Sequence, residues 1–199
     1  MQYTKTEVRN RILSSARREF YEKGYEGAVM RSIAAAAGTS LGNLYRYYKN
    51  KQELYAAVVG GVVDECVDRT ERLFDISPSG LERTAYGMVD FVGENKEVFS
   101  ILVSGPAEYY ADFLRRFSES LSQRLRVYAE SRGGEAMSRI INPGFFDAVA
   151  LGCIASLRPL MESFEDSESL RVHVLELWRF LFADFIGRLE NMHGPDVSL

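Results

Sequence analysis

The chain has 199 residues, 46% of them hydrophobic and 26% charged, with a formal net charge of −4. That length can bury a sizeable core as one compact unit or two small ones, and no apolar run approaches the roughly 20 residues of a membrane-spanning helix. The polar start Met1-Gln-Tyr-Thr-Lys-Thr-Glu7 is no secretory signal, so a cytoplasmic protein with no membrane partner is expected. The charge is unevenly spread. Ten Lys and Arg stand against five acids in the first 55 residues, a balance of about +5, which leaves about −9 for the remainder. A basic segment on an acidic body suits a polyanionic partner, the acidic part discouraging misdocking.

Thr4-Lys-Thr-Glu7 reads as a capping box opening a helix whose apolar positions Val8, Ile12, Ala16 and Phe20 recur every fourth residue until Gly24 ends it. From Arg31 a short alanine-rich helix follows, then a tight turn at Gly38, a second short helix opening at Ser40, and a third capped by Asn50. This order spells a helix-turn-helix. Ala34, Ala36 and Ala37 permit a close helix crossing, and Gly38 supplies the positive φ of a sharp turn. Ser40, Leu41, Gly42 and Asn43 fall at the N-terminal end of the second helix. There short side chains let backbone approach base edges, and unpaired N–H groups favour phosphate oxygens. Tyr45, Arg46, Tyr47 and Lys51 add hydroxyl and cationic donors for phosphate positioning and base contact, while Leu44 and Tyr48 face inward.

The run Gly38-Thr-Ser-Leu-Gly-Asn-Leu-Tyr-Arg-Tyr-Tyr-Lys-Asn-Lys-Gln-Glu-Leu54 resembles the DNA-binding signature of TetR-family transcriptional repressors, and the segment Arg11 to Tyr25 resembles that family's first helix. Many members carry Thr or Ser where this chain has Val29-Met30. Met30 cannot donate a hydrogen bond, so the DNA role there passes to Arg31. The resemblance implies an all-α fold: an N-terminal three-helix helix-turn-helix DNA-binding domain over residues 1–50, then a helical ligand-binding and dimerisation domain over 51–199. It also implies a homodimeric repressor, without cofactor or metal, released from a palindromic double-stranded DNA operator by a small-molecule effector.

Beyond the head, Asn50-Lys-Gln-Glu53 opens a long helix with Leu54, Val58, Val62 and Cys66 at a four-residue spacing. A break at Ser77-Pro-Ser-Gly80 precedes a helix capped by Ser79 and running to about Val92; a short one spans about Lys96 to Val103, ended by Gly105-Pro106. The next runs from about Ala107 to Ser131 with Phe113, Phe117, Leu121, Leu125 and Tyr128 along one face, and Gly133-Gly134 and Asn142-Pro-Gly144 bracket a loop. The last two helices, about Phe145 to Phe164 and Glu168 to Met192, are separated by Glu165-Asp166-Ser167. The second bears an apolar stripe too wide for one neighbour. By the family resemblance these helices pair with their twofold mates in a four-helix bundle, with Trp178, Leu181, Phe182 and Phe185 at the dimer interface.

An effector pocket in the middle of the chain also follows from the resemblance. Phe91, Phe99, Tyr109, Tyr110, Phe113 and Met161 supply an apolar, aromatic lining that favours an apolar or aromatic effector, though each suits ordinary core packing as well. Glu108 and Asp112 suit either a cationic ligand or the surface. Cys66 and Cys153 sit in apolar helical contexts as structural thiols, and His173 and His193 lack metal-binding companions. No nucleophile and base set, phosphate loop or metal cluster is visible, so no enzymatic activity is expected. The alternative to an effector-responsive repressor is a DNA-binding regulator with a packed body that answers to a protein partner.

Overall fold

The N-terminal capping box forms as the residues dictate: the Thr4 hydroxyl accepts from the Glu7 N–H at 3.2 Å, and the Glu7 carboxylate accepts from the Thr4 N–H at 2.6 Å. The computed structural model describes residues 4–77, 79–140, 142–163 and 167–192, with backbone alone at 133–140, 143, 156–163, 167 and 190–192. Among them every regular element is an α-helix: α1 (Lys5–Gly27), α2 (Met30–Ala36), α3 (Leu41–Tyr47), α4 (Lys51–Leu73), α5 (Leu81–Glu94), α6 (Lys96–Ser104), α7 (Ala107–Ile140), α8 (Pro143–Ser163), α9 (Ser167–Phe182) and α10 (Phe185–Met192). None is long and apolar enough to cross a membrane.

The chain divides into two compact units, Met1–Glu65 with Asn95–Phe113, and Cys66–Glu94 with Leu114–Leu199. In the first, α1 packs against both α2 and α6. Its centre is Tyr55, fully buried, edge-on to the rings of Phe20, Tyr25 and Tyr109 at centroid distances of 5.3, 5.1 and 5.0 Å. The Tyr55 hydroxyl donates to the Ile101 carbonyl at 2.8 Å, which ties α4 to α6 through a buried hydrogen bond. Burial pushes the Tyr55 pKa far above its ordinary value, so the hydroxyl keeps its proton and remains a donor. Gly105 makes this approach possible, since a Cβ there would lie 2.0 Å from the Tyr55 Oη. In the second unit α5 and α8 both pack against α9. The Phe74, Trp178, Phe182 and Phe185 rings form a chain of edge contacts at 5.9–6.0 Å. Arg171 pairs with Asp90, and Arg179 with Glu82, along the α5–α9 seam.

The structure departs from the sequence expectation at four places. The buried face of α4 is Leu54, Tyr55, Val59, Val63, Cys66 and Thr70, with Val58 and Val62 half-buried, because a strict four-residue row drifts around a helix of 3.6 residues per turn. Helix α7 continues through Gly133-Gly134 to Ile140 where a loop was expected. Glycine in a helix costs about 1 kcal/mol relative to alanine, a cost that the helix-forming run on either side offsets. Helix α5 starts at Leu81, after a turn in which the N–H groups of Gly80 and Leu81 both donate to the Ser77 carbonyl, so Ser79 sits within the turn.

The fourth difference is the break between α9 and α10. Asp184 adopts φ 51°, a left-handed conformation that aspartate tolerates better than most residues. The Arg188 guanidinium then donates to the Phe180 carbonyl at 3.1 Å and to that of Leu181, satisfying the acceptors freed at the end of α9. Glu165 and Asp166 of the expected acidic turn, and His193, lie outside the described residues.

Candidate nucleic-acid interface

The turn between α2 and α3 is closed by a complete pair of C-terminal capping bonds. Thr39 N–H reaches the Ala34 carbonyl and Gly38 N–H the Ala35 carbonyl, both at 3.0 Å, with Gly38 at φ 63°. This pattern needs a left-handed residue at that position, which glycine supplies without strain. The Ser40 hydroxyl then caps α3 by accepting from the Asn43 N–H at 3.1 Å. Sharp exit and immediate re-entry set α3 across α2. Ile33, Ala34, Ala37, Leu44 and Tyr48 are all buried beneath it, whereas Ala36 is exposed and takes no part in the crossing.

The outer face of α3 presents Gly42, Tyr45 and Arg46, all exposed, with Tyr45 and Arg46 three and four residues beyond Gly42 on one side of the helix. Arg31, in the first turn of α2, is exposed as well, and Leu41, Asn43 and Tyr47 are half-buried. The Asn43 amide donates to the Thr39 hydroxyl at 2.8 Å, which holds its orientation before any partner arrives. Thr39 is thus a site residue that sequence reasoning did not single out; its place directly after the left-handed glycine was the available signal. The Tyr47 hydroxyl makes a long 3.4 Å bond to the Lys5 carbonyl.

Lys51 has a different setting. Its ammonium donates to the carbonyls of Tyr25, Glu26 and Ala28 at 2.7, 3.2 and 3.4 Å and lies 4.6 Å from the centroid of the Tyr25 ring. All three ammonium donors are therefore used at the C-terminal end of α1, where a cation also complements the helix dipole. At the start of α4 the Asn50 side chain accepts from Glu53 N–H at 2.7 Å, while the Glu53 carboxylate accepts from Lys49 N–H at 2.8 Å. The reciprocal bond thus falls one residue before the cap.

The expected effector residues fall in both units. Phe99, Tyr109, Tyr110 and Phe113 belong to the first unit, where Phe99 and Tyr110 lie 5.9 and 6.3 Å from Phe113 and Tyr109 packs on Tyr55. Phe91 belongs to the second unit, beneath the Arg69 guanidinium at 4.5 Å. The Met161 side chain lies outside the description. The second unit holds a cavity of about 590 Å³ lined by Ile76, Leu81, Tyr128, Arg132, Arg179 and residues 182–186. Glu108 and Asp112 are exposed.

Most of the residues expected at a dimer interface are already covered within the single chain. Trp178, Phe182 and Phe185 are 3%, 2% and 7% exposed in the single chain, because the α9–α10 break returns Phe185 to the same core as Trp178. Leu181 is half-buried. Among the described residues of α8 and α9, the large apolar side chains left in solvent are Phe180, 77% exposed, with Val172 on α9 and Leu151 on α8. Cys66 and Cys153 are buried thiols whose pKa values are pushed up to about 12 and about 11 by desolvation, so both stay protonated and unreactive. No cluster of metal-ligating side chains occurs among the described residues.

Residues 12–58 match the family of bacterial regulatory proteins described as the tetR family. The HTH-type transcriptional repressor AcnR of Corynebacterium efficiens is 33% identical over 82 residues, covering 41% of this chain and 40% of that protein. The HTH-type transcriptional activator FasR of Mycolicibacterium smegmatis is 28% identical over 99 residues, covering 48% and 45%. The chain thus spans less than half the length of these curated relatives. Among solved structures, SmeT, the repressor of the Stenotrophomonas maltophilia multidrug efflux pump SmeDEF, shares the fold at a TM-score of 0.69 and 20% identity, over 91% of each chain. A tetR-family transcriptional regulator from Streptomyces coelicolor does so at 0.66 and 20%, over 94% of this chain and 88% of that one. Residues 12–58 thus resemble the head of the tetR family of bacterial regulatory proteins, and the chain shares the fold of these solved structures.

Proposed function

We propose that this protein is a dimeric, sequence-specific DNA-binding repressor that leaves its operator when a small molecule binds the body. The observation that carries the DNA-binding part is the exposed face of α3, where Gly42, Tyr45 and Arg46 stand clear of the core on a helix held rigidly by the Gly38 turn. Such a helix enters a major groove with its N-terminal residues toward the base edges. Gly42 lets backbone approach, Asn43 and Arg31 read bases, and Tyr45, Arg46 and Tyr47 hold phosphates. Lys51 serves by locking the end of α1 to the start of α4, which fixes the platform on which α3 sits.

Dimerisation is supported by an exposed stripe on α8, Ala148, Leu151, Gly152 and Ala155, spaced three and four apart, together with Val172 and Phe180 on α9. Small residues in such a stripe allow a second pair of helices to approach closely. A twofold dimer would then read a palindrome with half-sites about 34–36 Å apart. Response to an effector runs through α4, whose residues Lys51–Leu73 belong to both units, and through the Tyr55 bond to α6. A coupling of about 1–3 kcal/mol is enough to lower operator affinity 5- to 150-fold.

Selection of bound duplexes from a randomised pool, followed by titration at several salt concentrations, tests the reading. The expected product is a palindromic site whose affinity falls steeply with salt as phosphate counterions are released. Equal affinity for selected and scrambled duplexes would remove sequence-specific regulation.

A further inference from the structure

We infer that the cavity at the α9–α10 break is a binding site for an amphipathic monoanion, a carboxylate carried on an apolar tail. Its floor is apolar and buried: Ile76, Leu81, Phe182 and Phe185 are each under 9% exposed. Its volume of about 590 Å³ falls in the range of about 300–1,000 Å³ common to small-molecule sites. The polar part of the lining is chemically one-sided. Among the described residues the lining includes two arginines, Arg132 and Arg179, and Tyr128, against a single acid, Asp184.

The surrounding charges are mostly committed elsewhere. Arg179 is paired with Glu82. Asp75 accepts from Ser77 N–H at 2.9 Å and lies 3.4 Å from Arg83; Arg132 acts on it only as a more distant charge. The Asp184 carboxylate fills the space over Gly187, where a Cβ would lie 2.5 Å from it. Arg132 has no ion pair among the described residues. Its guanidinium rests 5.6 Å over the Tyr128 ring, an exposed fork held at the rim of an apolar floor. A guanidinium so placed matches a carboxylate in geometry as well as charge. An uncharged ligand would leave it unused, and a cation would meet like charge.

Trp178 provides the readout. It is the chain's one tryptophan, and its ring stands 5.9 Å from that of Phe182 in the cavity wall. Its buried Nε1 bonds nothing among the described residues, so its emission responds to a change in the neighbouring wall. As a binding site the cavity stands without the regulatory reading; as the effector site of a repressor it rests on that reading.

The test titrates dodecanoate, dodecan-1-ol and dodecyltrimethylammonium, each below its micelle concentration, into the full-length protein and follows Trp178 emission, with calorimetry for stoichiometry. Dodecanoate should bind once per chain and saturate. Losing the charge-assisted bond should weaken it about 10- to 100-fold in Arg132→Ala, and the alcohol should bind the wild type about as weakly. Arg72→Ala, which removes an exposed arginine outside the cavity, should leave dodecanoate affinity unchanged. Alcohol or ammonium binding as tightly as dodecanoate would overturn the assignment, as would wild-type affinity in Arg132→Ala. Dodecanoate that binds as expected but leaves operator affinity unchanged would sustain the site and remove only its role as effector pocket.

Discussion

The two units of this chain solve opposite problems. In the first, the buried tyrosine at the centre has both a full set of ring neighbours and a hydrogen-bond acceptor, and the lysine at the α1–α4 junction spends all its donors on carbonyls. In the second, a cavity of about 590 Å³ opens, and the buried polar atoms lacking a partner among the described residues, Ser120 Oγ and Trp178 Nε1, both lie there. A closed core resists deformation, while voids and unpaired groups leave room for a ligand or water to change the packing. The proposed DNA reading calls for the first property and the proposed response to an effector for the second.

The sharpest way to break this contrast is to spoil the closed core. Gly105→Ala would place a methyl 2.0 Å from the Tyr55 hydroxyl and 2.9 Å from the Ile101 carbonyl. The expected loss exceeds the ordinary overpacking cost of about 1–3 kcal/mol, and thermal unfolding measures it. Tyr55→Phe removes only the buried donor and leaves the carbonyl unpaired, for about 1–3 kcal/mol. A Gly105→Ala protein as stable as wild type would show that the α4–α6 contact is not tightly packed.

Next in size is the body's outer surface. Phe180→Glu should dissociate the proposed dimer, with a loss of about 2 kcal/mol or more of association energy if Phe180 anchors the interface. Because Phe180 is 77% exposed in the single chain, the helical content of that chain should stay unchanged in circular dichroism. Sedimentation showing an intact dimer would place the interface elsewhere.

Within the head the expected effects are smaller and more selective. Arg31→Ala and Asn43→Ala should each cost about 1–3 kcal/mol on the preferred operator and relax base preference, whereas Tyr47→Phe should weaken all duplexes alike. Binding profiles over randomised operators separate these outcomes. Lys51→Ala should lower head stability along with DNA affinity, since its donors hold the end of α1.

The smallest effect lies at the edge of the body. Hydrogen bonds from Ser77 hold the Asp75 carboxyl below its ordinary pKa of 3.8. A lowered folded pKa means that the stabilisation is present above 3.8 and is lost as pH falls through the folded value. Asp75→Asn should therefore unfold at a lower temperature than wild type at neutral pH, and the gap should close below about pH 4. A gap that is constant with pH would assign the effect to shape and not to charge.

The head was legible in the chain because its determinants are local. A capping box at Thr4, a glycine that alone tolerates the left-handed turn at position 38, and a serine cap at position 40 act within a few residues of themselves. Periodicity likewise gave Leu44 and Tyr48 as inward-facing. What the head's sequence did not disclose was the use of each polar group. Lys51 reads as a free cation until folding brings the carbonyls of Tyr25 to Ala28 beneath it, from more than twenty residues away.

In the body the amino-acid order determined that there would be apolar helices, and little about which faces meet. The α9 stripe was wide enough for two partners, and only the left-handed Asp184 with Arg188 across the broken helix end returned Phe185 to the core of Trp178. That choice moved the exposed apolar surface to Phe180 and opened the cavity beside residues 182–186. Hydrophobic burial is non-directional, so a sequence can declare that a side chain will be covered without saying by what; the neighbour is decided when helices distant in the chain pack together.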